Sequence, residues 1–212
     1  MEHLSQIKLS ALNDMRQTVS SLVSPGRYAH ILRVEEEIVN LGELFLLDKI
    51  FELRVAAILH DITKDLSFKE QLQLCEKFDI ILPECITSEV LHAKTGAYFA
   101  KERFFSFVND EIFNAIKNHT TGNEEMSLFD KLLFVADYTE NGRTYQKCVE
   151  VRNRLWECVG DLNNDERMAH LDSICIEILD NTILYLIKGN KKIDPDTFLA
   201  RNALINTKST IV

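Results

Sequence analysis

DKIFELRVAAILHDI, residues 48–62, is apolar along almost its whole length and closes on an adjacent histidine and aspartate. An apolar run of this length reads as a helix buried at the centre of a bundle. Upstream, Leu4, Ile7, Leu12, Met15, Val19 and Leu22 recur at helical spacing and predict an N-terminal helix over 4–22. Ser24-Pro25 reads as the N-cap and first-turn proline of a second helix that reaches about Leu41, with Gly42 marking its end. Downstream, Ser67 and Glu70 match a capping box for a helix over 68–78, and Pro83 breaks the chain after it. Further helices are predicted at 87–103, 110–119, 128–139, 144–158 and 164–188, with a short one at 196–205. Asn109 and Ser127 are N-cap candidates.

The fold class expected is all-α. Seven glycines and three prolines leave few turns in 212 residues, and the stretches between them read as long helices. No repeat, low-complexity tract or Pro/Gly/Ser-rich linker divides the chain. The domain reading is therefore a single domain with a core over about 24–190, an N-terminal helix over 4–22 and a short C-terminal helix over 196–205.

A net charge of −9 argues against sequence-independent binding to nucleic acid, which needs a basic surface. It leaves an anionic small molecule open, because a metal and a few local cations outweigh a distant acidic surface. The N-terminus lacks the basic start and apolar core of a signal peptide, and no apolar run is long enough to suggest a membrane partner. Cys75, Cys85, Cys148, Cys158 and Cys175 form an odd set without a CxxC pair, which fits a reducing cytoplasm and thiols used as small core residues.

The chemistry concentrates in four of the six histidines. His30, His60, His92 and His119 each lie in or at the end of a different apolar helix, Asp61 follows His60 directly, and Asp137 lies on a further apolar helix, KLLFVADY. Burying so many imidazoles and carboxylates without partners costs several kcal/mol for each unpaired charge, roughly, and a cation that collects them removes that cost. Four histidines and two aspartates without a thiolate suit iron, manganese, nickel, cobalt or zinc, and two ions fit if Asp61 bridges them. Each histidine taken alone is better explained as a hydrogen-bonded core or surface residue than as a ligand. In HDITKD, Lys64 stands one helical turn beyond His60 and Asp65 one turn beyond Asp61. The lysine can clamp a phosphate, and the aspartate can orient or deprotonate a water. Both are explained as well by a solvated helix end.

These residues resemble a known group. His30, His60-Asp61 and Asp137, in this order, look like the metal-binding signature of the HD-domain phosphohydrolase superfamily. The finer similarity is to its YqeK branch of symmetrical bis(5′-nucleosyl)-tetraphosphatases. RYAHILRV (27–34), AAILHDITKD (56–65), LHAKTGAYFA (91–100), NHTTG (118–122), LFDKLLFVADYTENGR (128–143) and DPDTFLARN (194–202) carry it, in register over about 175 of the 212 residues. The resemblance implies an HD-domain helical bundle. It also implies one ion held by His30, His60, Asp61 and Asp137, and a second by His92 and His119, with Asp61 between them. Iron is the metal it points to first. The substrate implied is diadenosine tetraphosphate or a related dinucleotide, split by water into two nucleoside diphosphates.

Lys64 matches the family's phosphate-contacting lysine, and Arg143 is placed to grip phosphate oxygens. Thr120 and Thr121 follow His119 and could shape the phosphate pocket. Arg27 and Tyr28, just before His30, could supply charge and a stacking surface, although Tyr28 equally fits the core. Where relatives place a proline before the arginine, this chain has Thr139-Glu140-Asn141-Gly142, and Gly142 makes the turn more permissive. The rival readings are an HD-type nucleotidase acting on mononucleotides or an alarmone, a nucleotide-sensing module without activity, and a plain helical scaffold. The apolar run ICIEILDNTILYLI (174–187) suggests a homodimer through the helix over 164–188, and ordinary core packing explains it as well.

Overall fold

The computed structural model describes residues 6–82 and 87–209. Ten α-helices are found there: α1 Gln6–Leu22, α2 Pro25–Phe45, α3 Ile50–Leu59, α4 Phe68–Lys77, α5 Ser88–Arg103, α6 Asp110–Asn118, α7 Leu128–Thr139, α8 Gln146–Cys158, α9 Asn164–Lys188 and α10 Pro195–Ser209. A single 3-10 turn, Leu47–Lys49, leads into α3, and no strand occurs among the described residues. The chain is all-α, as its residues predict. Leu4, Pro83 and Cys85, which entered the sequence reading, fall outside the described residues. No described helix is long and apolar enough to cross a membrane.

The helix starts follow from local side-chain chemistry. Ser24 Oγ accepts the Arg27 N–H behind Pro25 at the first turn, and Asn109 Oδ1 accepts from Ile112 N at 2.9 Å. Ser67 with Glu70, and Ser127 with Asp130, each complete a reciprocal box in which the side chain and the backbone N–H of both residues pair. Each box satisfies two backbone donors that the first turn leaves without carbonyl partners.

The C-terminal helix, expected as a short one over 196–205, runs over Pro195–Ser209, and two boundaries near the core also differ from expectation. Gly42 does not end α2, which runs on to Phe45. A Cβ at residue 42 would stand 2.6 Å from Ile50 Cδ1 and 2.7 Å from Leu53 Cδ1, so this glycine lets α3 lie close against α2. The apolar segment expected as one helix over 48–62 is helical only over Ile50–Leu59. His60 closes α3, and the chain continues through tight turns in which Ile62 N bonds Leu59 O, Lys64 N bonds Asp61 O and Leu66 N bonds Thr63 O.

Helix α3 is the hub. It packs against α1, α2, α5, α6 and α7, and Leu53, Val55, Ala56, Ala57, Ile58 and Leu59 are fully buried. Leu12, Met15 and Val19 of α1 belong to the same core, as do Leu171, Ile174 and Ile178 of α9. A buried carboxylate fixes α1, α2 and α3 together: Glu35 accepts from Arg16 Nε at 2.9 Å, Arg16 Nη2 at 2.5 Å and Arg54 Nε at 2.9 Å. The C-terminal end of α3 lies inside the bundle, which packs α2, α5, α6 and α7 against this helix.

Candidate metal centre

Five segments deliver side chains to the end of α3. His30 comes from the second turn of α2, His60 and Asp61 from the end of α3, His92 from α5, His119 from the end of α6 and Asp137 from the last turn of α7. All are buried except Asp137, whose side chain keeps 20% of its surface exposed and opens the cluster toward solvent.

Asp61 divides the cluster. Its Oδ2 faces His60 Nε2 at 3.4 Å and His30 Nε2 at 3.7 Å, while its Oδ1 faces His92 Nε2 at 3.1 Å and His119 Nε2 at 3.6 Å. Asp137 Oδ1 lies 2.9 Å from His30 Nε2 and 3.8 Å from His60 Nε2. The rings of His30 and His60, of His60 and His119, and of His92 and His119 meet edge to face, with centroids 5.5, 4.9 and 5.0 Å apart.

The outer nitrogens explain why the inner ones converge. His60 Nδ1 lies 2.7 Å from Ala57 O, His119 Nδ1 lies 2.7 Å from Ile116 O, and His30 Nδ1 lies 3.1 Å from Glu140 Oε1. An Nδ1–H donated to each oxygen fixes the tautomer that leaves the Nε2 lone pair pointing inward. His30 Nε2 and His60 Nε2 are buried, and neither makes a well-angled hydrogen bond with the carboxylates it approaches. Two donor sets are close enough to share an ion: His30, His60 and Asp137, and His60, Asp61 and His119. Nitrogen and carboxylate donors without thiolate fit a divalent transition metal.

His92 is held differently. Its Nδ1 lies 3.1 Å from Lys64 Nζ, and its Nε2 lies 3.1 Å from His119 Nε2 and 3.3 Å from Thr120 Oγ1. Its backbone is anchored by Thr63, whose hydroxyl donates to His92 O at 3.0 Å and meets Thr95 Oγ1 at 2.9 Å.

The cluster polarises its members. Burial alone would raise Asp61 and Asp137, yet His60, His119 and His92 around the first, and Arg143 and His30 beside the second, hold both well below the usual carboxylate range. Burial pushes His92 down to about 4, so it is a neutral donor at physiological pH. Burial works against charge on His30, but the Asp137 and Glu140 carboxylates close on either side of its ring outweigh it and raise its pKa. Lys64 is lowered, chiefly by burial.

The substrate-binding candidates are scattered around this cluster. Arg27 Nη1 donates to Asp61 Oδ2 at 2.8 Å, and Arg143 donates through Nη2 to Asp137 Oδ1 at 2.6 Å and through Nε to Asp137 O at 3.0 Å. Lys64 reaches the site because the turns after Leu59 bring about three residues per turn, which puts it in line with Asp61 rather than with His60. Asp65 is not brought in. It is exposed, and its Oδ2 accepts Ser24 N–H at 2.7 Å, tying the turn to the start of α2. Thr121 is buried, with its hydroxyl on Gly122 O, and Tyr28 packs against the core. Gly142 has no unusual φ; a Cβ there would collide with Arg33, so the residue makes room for that guanidinium.

Glu140 escaped the sequence reading. It is buried, accepts from Arg33 Nε at 2.5 Å and Gly142 N at 2.6 Å, and meets His30 Nδ1 as above. Although burial opposes its charge, the bonds from His30 and Arg33 hold it at about 2. Its position three residues after Asp137 was the available signal.

Residues 27–142 match the HD domain family, which covers every residue of the cluster. The chain belongs to the HD domain family. It is 33% identical over 193 residues to a symmetrical bis(5′-nucleosyl)-tetraphosphatase of Halalkalibacterium halodurans, covering 89% of this chain and 94% of that one. It is also 33% identical over 190 residues to the Bacillus subtilis protein of the same name, at the same coverage. A crystal structure of a protein from Clostridium acetobutylicum, described as a predicted HD superfamily hydrolase involved in NAD metabolism, superposes with a TM-score of 0.80 at 27% identity. That match covers 92% of this chain and 97% of the other. The HD-domain resemblance and the all-α bundle expected from the sequence are both borne out, and the protein is an HD-domain hydrolase.

Proposed function

We propose that this chain is a metal-dependent phosphohydrolase that cleaves a dinucleoside tetraphosphate symmetrically into two nucleoside diphosphates. The observation that carries the reading is Asp61, whose two oxygens face separate histidine pairs, as a carboxylate shared by two ions would. The names of the relatives supply the substrate class. His30, His60, Asp61 and Asp137 would hold one ion, and His119 and His92 with the other oxygen of Asp61 the second. Iron is the first choice, with manganese, cobalt, nickel and zinc compatible with the same donors. Bound there, such ions supply a nucleophile from water at neutral pH and offset charge on the phosphates.

The chain's own side chains do the rest. Arg27 and Arg143 stand at the two carboxylates of the cluster, and the buried Nε of Arg27 has no hydrogen-bond partner among the described residues, so its guanidinium keeps a donor for a phosphate oxygen. Arg143 is anchored on Asp137 and raised further above its ordinary pKa, first by the charge of Asp137, so it stays cationic throughout. Lys64 reaches in from the turn after α3 and neutralises phosphate charge beside His92. Thr120 offers a hydroxyl on the same side. Thr121 and Tyr28, turned into the protein, support this wall without touching substrate. Asp65 is too far engaged with α2 to take a proton from water, and no side chain is assigned that role.

Incubation of purified protein with diadenosine tetraphosphate, followed by chromatography of the products, tests the reading. Two molecules of ADP are expected. AMP with ATP, or an intact substrate alongside cleaved mononucleotides, sinks it in favour of an asymmetric enzyme or a nucleotidase.

A further inference from the structure

Arg143 has a second side. On one it grips Asp137; on the other it forms part of the wall of a cavity of about 350 Å³ between α7, α8 and α9. Tyr138, Tyr145 and Tyr185 line that cavity together with Asn181. Its size falls in the range of about 300–1,000 Å³ typical of small-molecule pockets. Three phenol rings around one hollow next to a cluster built for phosphates are an aromatic platform that the metal centre does not use.

Two of the rings are open. Tyr145 is 59% exposed and Tyr185 is 55% exposed, which for large aromatic side chains leaves stacking surface uncovered. Lys191 Nζ lies 5.4 Å from the Tyr185 ring centroid, adding positive charge at the rim. Asn181 stands beside the Tyr138 phenol, and its buried Nδ2 meets no acceptor at good hydrogen-bond geometry. A carboxamide with an unmet donor is suited to the acceptor edge of a heterocyclic base. Tyr138 directly follows Asp137 in the chain, so the cavity and the cluster share one wall.

We propose that this cavity holds one nucleobase of the substrate, stacked on Tyr145 and Tyr185 and met at its edge by Asn181, with Arg143 marking where the base and sugar end and the phosphates begin. The inference rests on the phosphohydrolase reading above and adds where the nucleoside goes. Base–aromatic stacking tolerates any base, because every base presents a π face; the Asn181 carboxamide adds a hydrogen-bonding group able to discriminate among them.

Calorimetric titration of the purified full-length protein with ADP, and in parallel with inorganic pyrophosphate, tests it. Y145A and Y185A are each expected to weaken ADP by about tenfold while pyrophosphate stays within about twofold. Y145F and Y185F keep ADP binding, since the ring and not the hydroxyl carries the base. Both rings are exposed enough for truncation to be tolerated, and a thermal melt of each variant checks this. ADP binding unchanged in both alanine variants, or equal losses for ADP and pyrophosphate, overturns the pocket. Failure of the hydrolytic reading looks different: ADP bound through the tyrosines in a protein that leaves diadenosine tetraphosphate intact. Cleavage of that dinucleotide with KM unchanged in Y145A and Y185A sinks the pocket and leaves the reaction standing.

Discussion

Glu140 Oε1 lies 3.1 Å from His30 Nδ1, while the other ring nitrogen of His30 faces Asp137 at 2.9 Å. The imidazole is thus clamped between two carboxylates, and Glu140 is itself locked by Arg33. Partners of this kind behind a ligand histidine typically contribute about 10- to 100-fold in metal affinity. Glu140→Ala should therefore lose roughly that factor in a competitive metal titration, and Glu140→Gln, which can still accept from Nδ1–H, should recover part of it. Equal affinity in wild type and E140A would reduce Glu140 to an anchor for Arg33.

The division of Asp61 predicts stoichiometry. Metal analysis of freshly purified protein should find two ions per chain, and Asp61→Ala should retain fewer, because in the proposed arrangement Asp61 is a donor to both ions. Chelation should lower Tm, since ions that bind only the folded chain stabilise it by mass action. One ion per wild-type chain would contradict a shared carboxylate.

Lys64 is the one side chain whose ammonium reaches the cluster from the turn after α3. Loss of a positioned cation at developing phosphate charge costs on the order of a hundredfold in kcat. Lys64→Ala should show that loss at full metal content, with Lys64→Arg recovering some of it. Normal turnover by a metal-loaded K64A protein would remove the clamp.

What could be read from the residues was what is decided within a few positions. Ser24, Ser67, Asn109 and Ser127 cap their helices through partners three residues away, so their spacing announced them. The histidine set was visible because each lies on an apolar helix that has to face inward. Pairings over long separations were hidden. Asp65 is spoken for by Ser24, 41 positions earlier, and Glu140 meets His30 across 110 positions. The shift from helix to tight turns at His60 also changed the angular spacing on which the placement of Lys64 and Asp65 depended. Gly142, read as a permissive turn, answers instead to Arg33.

The two glycines of α2 should respond in opposite directions to alanine. Nothing lies within 4 Å of a Cβ at Gly26, so Gly26→Ala should stabilise by about 0.4–1 kcal/mol through the unfolded chain. At Gly42 the new methyl would meet Leu53, which is fully buried, and Ile50. Overpacking costs about 1–3 kcal/mol and outweighs a helix-propensity gain of up to about 1 kcal/mol. Chemical denaturation should place G26A above wild type and G42A below it.

Glu37 carries a pH dependence that can be signed. It is buried on α2, and its Oε1 accepts from Thr139 Oγ1 at 3.0 Å and Trp156 Nε1 at 2.9 Å. Burial raises its pKa above 4.5, and the bonds from Trp156 and Thr139 only partly offset that. The folded chain therefore binds this proton more tightly than the unfolded one. Its contribution to stability is complete below the unfolded value and is lost as pH rises through the folded value. Glu37→Gln keeps an acceptor for both donors without a charge to bury. Its Tm should exceed that of wild type at pH 7.5, and the gap should close as pH falls to about 4, where Glu37 is itself protonated. A Tm difference that stays constant across that range would mean the effect comes from packing and not from the buried charge.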